Sequence, residues 1–89
     1  MGLSDAELLE KAMTASGGEA FRALWEGDIT GYPSQSEADQ ALCNRLAYWT
    51  NGDPERIDRL FRQSGLMREK WDRATGGSTY GDLTIDSAI

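Results

Sequence analysis

The sequence contains no histidine and no valine, and Cys43 is its single cysteine. Without histidine, general acid–base catalysis by an imidazole is excluded within this chain. A lone cysteine cannot form a disulfide within the chain, and the lack of histidine excludes a zinc site of the usual Cys/His kind. No stretch approaches the roughly 18 apolar residues that a membrane-spanning helix needs. A reducing, cytoplasmic setting is therefore expected.

Basic residues are scarce over most of the chain and concentrated in one part of it. The formal net charge is −6, yet six of the nine Lys and Arg residues lie between positions 56 and 73. An acidic protein is not expected to coat a duplex nonspecifically, because such binding depends on many phosphate contacts. One basic segment on an acidic body instead favours selective binding of an anion.

Helix signals follow one another along the chain. Ser4 and Glu7 have the spacing of a capping box, and Asp53-Pro54 places a cap residue before a proline at the first helical position. Ser34 and Ser36 offer two overlapping caps for a central helix. With apolar residues at helical spacing, these signals predict helices over about 5–15, 19–26, 34 or 36–50, 54–64 and 67–73, and a last segment after 80.

Strand signals are missing, because valine is absent and no run alternates between apolar and polar residues. The glycine-containing segments 27–35 and 75–78 are predicted to be loops. The predicted fold class is therefore all-α, with residues 1–89 forming a single domain built as a compact bundle of five to six short helices.

The turn after the fourth predicted helix carries the densest set of phosphate-compatible donors, namely Arg62, Ser64, Arg68 and Lys70. Arginine offers a planar fork of donors and lysine a compact charge, and a helix starting at Met67 would add free N–H groups. The alternative is a solvated face whose arginines pair with nearby acids at i,i+3 or i,i+4 spacing.

Asp39 starts on the apolar stripe of the central helix, where a carboxylate needs a partner. It either caps the helix or pairs with Arg62 or Arg68, or it holds Mg²⁺ on a bound nucleotide or bonds a base or ribose. Among the aromatic residues, Tyr32 and Tyr80 lie in glycine-containing loops and are the better candidates to stack on a base. Tyr48 must face differently from its neighbour Trp49 and is intermediate. The remaining aromatic residues have the spacing of a core, namely Phe21, Trp25, Trp49, Phe61 and Trp71.

No constellation in this chain predicts catalysis. There is no phosphate-binding GxxxxGK[ST] loop, no pair of nucleophile and base, and no metal-ligand spacing. The chain is therefore predicted not to be an enzyme by itself and to have no intrinsic metal or cofactor.

Four blocks of sequence resemble the helix-bundle domain of phage- and plasmid-encoded primase–polymerases. In order, they are GYPSQSEAD (31–39), LAYWTNGD (46–53), IDRLFRQSGL (57–66) and REKW (68–71). Thr79-Tyr80-Gly81 followed by Thr84-Ile85 is similar to the end of that domain, so the resemblance covers roughly residues 7–89.

The resemblance implies a non-catalytic part of a longer replication protein, in a bacterial or phage-infected host cell. It implies binding of single-stranded DNA template and of ATP or another nucleoside triphosphate with Mg²⁺, in support of primer initiation. The domain would follow the catalytic primase–polymerase domain and often precede a helicase. On the matching positions, it assigns nucleotide and template binding to Ser36, Asp39, Arg62, Ser64, Arg68 and Lys70.

A second hypothesis is a protein-interaction or spacer bundle that links primase and helicase domains or mediates oligomerisation. It predicts exposed apolar patches in place of a basic cleft.

Overall fold

Short capped helices account for most of the molecule. The computed structural model describes residues 2–89, and its helices are α1 (Asp5–Thr14), α2 (Gly18–Trp25), α3 (Gln35–Thr50), α4 (Pro54–Phe61) and α5 (Tyr80–Ala88). Between α4 and α5 lie a 3₁₀ turn (Glu69–Asp72) and two short strands, β1 (Ala74–Thr75) and β2 (Ser78–Thr79). The predicted all-α bundle is confirmed. None of these helices is long and apolar enough to cross a membrane.

The helices begin where side-chain caps allow them to begin. Ser4 and Glu7 form the complete capping box of α1, and the Asp53 carboxylate accepts from the N–H of Arg56 at the start of α4. At α3, Ser34 accepts from the Glu37 N–H at 3.2 Å. Because Ser34 is the cap, the hydroxyl of Ser36 remains available for contacts with other parts of the fold.

Apolar side chains from all five helices meet around α3, which packs against α2, α4 and α5. Eight-residue helices such as α2 and α4 are too short to be stable alone, so this shared burial holds them in place. The buried hydrophobic residues are Leu8, Ala12, Phe21, Leu24, Ala38, Leu42, Cys43, Leu46, Ile57, Leu60, Phe61, Leu66, Trp71 and Ile85.

The segment after α4 differs from the sequence-based prediction. α4 ends at Phe61 instead of continuing to residue 64, and the α-helix predicted from Met67 is instead the 3₁₀ turn. The reason is a close backbone contact: Gly65 N–H donates to the Trp25 carbonyl at 2.7 Å, and a Cβ on Gly65 would lie 2.6 Å from the Glu26 carbonyl. The prediction of an α-helix over residues 67–73 is therefore wrong, and the free N–H groups expected of a helix starting at Met67 are not supplied in that way.

The predicted loop at residues 75–78 is the tip of a small antiparallel hairpin. Ala74 pairs with Thr79 and Thr75 with Ser78, leaving Gly76-Gly77 as the two-residue connection. Gly76 has a φ of +71°, a conformation that glycine adopts without strain. Two-residue strands that are not buried need no alternation of apolar residues, so the strand criterion could not detect them.

Trp71 joins the 3₁₀ turn to its neighbours on two sides. Its ring stacks on Phe61 of α4, with centroids 3.6 Å apart, and meets the edge of Tyr80 at 6.2 Å. Its Nε1 donates to the Asp58 carboxylate at 2.8 Å. At the start of α5, a Cβ on Gly81 would lie 2.6 Å from the Trp71 ring, so glycine lets α5 approach closely. This packing fixes the turn beside the first residues of α3 and α5.

Candidate functional site

A buried carboxylate lies where α3, the 3₁₀ turn and α5 meet. Asp39 is completely buried, and its Oδ1 accepts from Nη1 of Arg68 at 2.9 Å, while Nη2 of the same guanidinium lies 2.8 Å from Oδ2 in an ion pair. The hydroxyl of Tyr80 donates to the same carboxylate at 2.6 Å. Of the pairings predicted for Asp39, the ion pair with Arg68 is the one present. Because Asp39 is completely buried behind these donors, a ligand could reach its oxygens only if a partner moved away.

The charges in this contact stabilise one another. The hydrogen bond to Asp39 is the main cause that raises the pKa of Arg68 above its ordinary value. Burial, followed by the hydrogen bond to Asp39, raises the pKa of the Tyr80 hydroxyl. Arg68 therefore stays a cation and Tyr80 stays a donor throughout the physiological range. The guanidinium is held in a fixed orientation with a quarter of its side chain exposed.

Lys70 brings a second cation to the same place. Its Nζ lies 3.3 Å from the Ser36 hydroxyl and 4.4 Å from the centroid of the Tyr80 ring. The Arg68 guanidinium carbon lies 5.8 Å from the same ring, so two cations are within cation–π range of one tyrosine. Among residues 2–89, no carboxylate forms a salt bridge with Lys70. We call Ser36, Asp39, Arg68, Lys70 and Tyr80 the α3–α5 cluster.

Two residues of the predicted site lie outside this cluster. Arg62 donates to Asp58 at 2.8 Å and to Asp72 at 2.6 and 3.0 Å, and these bonds raise its pKa. Ser64 is buried, donates to the Phe61 carbonyl at 2.7 Å and accepts from the Leu66 N–H at 3.2 Å. Arg62 is thus paired with acids, as the alternative interpretation predicts, and Ser64 stabilises the turn.

Carboxylates also neutralise the start of the basic segment. Arg56 and Arg59 both bind Asp5 of α1, at 2.9 and 2.8 Å. The six basic residues between positions 56 and 73 therefore do not form one open basic face. The charge still available for a ligand is concentrated at Lys70 and the exposed part of Arg68, together with Arg73, which makes no salt bridge within the described residues.

The two tyrosines predicted to stack on bases have different surroundings. Tyr80 is half-buried, with Lys70 over its ring and Trp71 against its edge. Tyr32 packs against the core from the segment between α2 and α3 and borders a groove with Tyr48 and Trp49. The predicted set of binding residues does not include Tyr48, although 78 % of its surface is exposed. The sequence signal for this exposure is that Tyr48 lies off the buried stripe of α3, which Leu42 and Leu46 form.

The part of the chain that the structure describes has no group of three or more acidic, cysteine or histidine residues able to hold a metal ion. The chemistry of the α3–α5 cluster is therefore that of hydrogen-bond donors and cations.

The site is a cationic cluster at one end of the central helix of an all-α bundle. The chain belongs to the family of helix-bundle domains of primase–polymerases, because residues 35–89 match the model of the NrS-1 polymerase HBD domain. Over 53 residues it is 58 % identical to the DNA primase-polymerase of Nitratiruptor phage NrS-1. That similarity covers 60 % of this chain and 7 % of the phage protein. The resemblance to a primase–polymerase helix-bundle domain is confirmed.

The family match includes every residue of the α3–α5 cluster. It begins at the first residue of α3 and continues through α5, so α1 and α2 lie outside it. The cluster is therefore built entirely from the part of the chain that defines the family.

Proposed function

We propose that this domain is a non-catalytic module that binds single-stranded DNA template and a nucleoside triphosphate and so supports primer initiation. The catalytic primase–polymerase domain would belong to the same polypeptide, and a helicase domain is a further candidate partner there. Family membership supports this proposal, since the phage relative is a DNA primase-polymerase.

The observation that carries the proposal is the pair of cations over Tyr80. Lys70 makes no salt bridge within residues 2–89, and Nε of Arg68 makes no hydrogen bond there, whereas Asp39 fixes the rest of the guanidinium. Such a pre-oriented pair suits the non-bridging oxygens of a phosphate, because arginine presents a fork and lysine a movable charge. Ser36 adds a hydroxyl beside Lys70. The function assigned to Asp39 is to orient Arg68.

The expected affinity follows from these contacts. Hydrogen bonds to charged groups contribute about 1.5–3 kcal/mol each, from which the entropy of association must be subtracted. Two such contacts give weak binding that salt reduces further, in agreement with the acidic surface of the remaining chain. In this proposal Mg²⁺ arrives with the triphosphate. Tyr80 stacks on a base only after Lys70 moves from its ring, and the tightly paired Arg62 contributes less than Lys70.

The test is a binding titration with charge-matched variants. ATP with Mg²⁺, and a labelled oligothymidylate, are added at low salt while amide shifts and fluorescence anisotropy are recorded. Lys70→Ala should weaken ATP binding about tenfold, the loss of one charged contact. Arg59→Ala also removes one positive charge, but from the ion pair with Asp5, which lies outside the α3–α5 cluster. It should leave ATP affinity within about twofold of wild type. If neither ligand binds the unmodified domain, or if both variants behave alike, the proposal is wrong.

The alternative function, a spacer or protein-interaction bundle, has one observation in its favour. Tyr48, Leu83 and Ile89 are large apolar side chains with 78 %, 49 % and 61 % of their surfaces exposed. A bundle of that kind should gain mass with concentration and fail to bind ATP. Light scattering over a range of protein concentrations separates the two functions.

A further inference from the structure

A groove lies along the C-terminal half of α3, away from the α3–α5 cluster. Its volume is about 640 Å³, and the turn after α1 and Tyr32 form its other border. We call it the aromatic groove, and its lining includes Tyr32, Asn44, Arg45, Tyr48 and Trp49. No acidic residue lines it. Tyr48 is twelve residues beyond Ser36, about 18 Å along the helix axis at 1.5 Å per residue. The groove and the cluster are therefore separate surfaces.

Tyr48 presents an open aromatic ring at the edge of this groove. The side chain is 78 % exposed, and its ring stands at 90° to that of Trp49, with centroids 5.3 Å apart. The half-buried Trp49 thus supports Tyr48 from one direction and leaves most of the tyrosine surface in water. An aromatic ring held in this way offers a flat apolar face to any planar ligand.

Two polar side chains of the groove have donors to spare. Arg45 forms no salt bridge with any carboxylate of residues 2–89. The Asn44 carbonyl oxygen accepts from Gln40 at 3.0 Å, which leaves the Asn44 amide N–H groups directed elsewhere. The groove thus combines a cation, an amide and three aromatic side chains, with no acid. These groups match the phosphate, the base edge and the base face of one nucleotide.

We infer that the aromatic groove binds an unpaired nucleotide of single-stranded DNA, with Tyr48 stacking on the base and Arg45 contacting an adjacent phosphate. This inference rests on the proposed function and adds a second contact point for the template, distinct from the triphosphate contacts at Lys70. A proline-rich peptide also suits aromatic-lined grooves. The unpaired Arg45 and the absence of acids favour the polyanion, because a proline-rich peptide needs no cation.

The experiment separates template binding from triphosphate binding in the same domain. A fluorescein-labelled decathymidylate is titrated at low salt, and ATP with Mg²⁺ is titrated in parallel. Tyr48→Ala should weaken decathymidylate binding about five- to tenfold, in the lower part of the range for one stacked base, and leave ATP affinity unchanged. Tyr48→Phe should retain wild-type affinity because it keeps the ring. Arg45→Ala should weaken binding and reduce its salt dependence, whereas Arg22→Ala, with the same charge removed from α2, should not.

The failures of the two proposals are distinguishable. If the unmodified domain binds neither decathymidylate nor ATP, the proposed function fails and this inference fails with it. If decathymidylate binds normally to both Tyr48→Ala and Arg45→Ala, only the inference about the groove is overturned. That inference is also overturned if a proline-rich decapeptide, and not decathymidylate, shifts the amide resonances of Asn44 to Trp49. Circular dichroism of each variant confirms that the exposed substitutions leave the fold intact.

Discussion

Replacing Arg68 with methionine would leave the Asp39 carboxylate without its charged partner. Asp39 is completely buried, so water cannot replace the hydrogen bond from Nη1 and the ion-pair contact with Nη2 of the guanidinium. Removing one partner of a buried ion pair costs about 3–5 kcal/mol, because the other charge remains uncompensated. The whole domain is expected to be stable by about 5–15 kcal/mol, so Arg68→Met should remove a large part of that stability.

Replacing the other partner of the ion pair, Asp39, should reduce the free energy of unfolding by a smaller amount. In Asp39→Asn the arginine keeps its charge, but a quarter of its side chain already reaches solvent and can be hydrated further. We expect a loss of about 1–3 kcal/mol, mainly from weakened hydrogen bonds to Arg68 and Tyr80. The double variant should be more stable than the sum of the two losses predicts, because it leaves no buried charge.

Urea denaturation followed by far-ultraviolet circular dichroism measures these free energies of unfolding. Arg59→Met is the matched control, since it breaks the exposed ion pair with Asp5 and should cost at most about 1 kcal/mol. A loss below about 1 kcal/mol for Arg68→Met would refute the reasoning, since an uncompensated buried charge should cost several times more. Strictly additive losses in the double variant would refute it as well.

Two further predictions concern packing and pH. Gly81→Ala should lower the melting temperature, because its Cβ would lie 2.6 Å from the Trp71 ring, and overpacking of this kind costs about 1–3 kcal/mol; Gly77→Ala, which meets open space, should have little effect. The hydrogen bond from Arg59, with further help from Arg56, lowers the pKa of Asp5 from 3.8 to about 2. The stability that this pairing contributes is therefore present above about pH 4 and is lost as the pH falls through about 2. Melting temperatures of wild type and Asp5→Asn should differ at neutral pH and converge near the lowered pKa of Asp5, and a constant difference would contradict this assignment.

Local signals are sufficient to predict most of the helices. The capping box of Ser4 and Glu7 and the Asp53-Pro54 pair act within one turn of the chain, so their effect can be deduced from neighbouring residues. The end of α4 cannot be deduced in this way. It depends on the contact of Gly65 with Trp25 and Glu26, which are about forty positions away along the chain.

In the candidate site as well, some features follow from local sequence and others depend on contacts between distant parts of the chain. Residue chemistry selects Asp39, Arg68 and Lys70, and it leaves the pairing of Asp39 with Arg68 as one of several open interpretations. The pairing of Arg62 with Asp58 follows from their i,i+4 spacing, whereas the bond of Arg62 to Asp72 depends on the three-dimensional path of the turn. The exposure of Tyr48 likewise depends on which faces of α3 are covered by the other helices, and spacing alone does not specify this.

The contact between Gly65 and Trp25 shows that the family match and the folded domain begin at different residues. The match to the family model begins at residue 35, but the turn that carries Arg68 and Lys70 is anchored to a carbonyl ten residues before that point. Phe21 and Leu24 of α2 belong to the same hydrophobic core as α3. The segment that matches the family model is therefore smaller than the unit that folds. A fragment limited to the matched residues would contain the α3–α5 cluster without the part of α2 that anchors its turn.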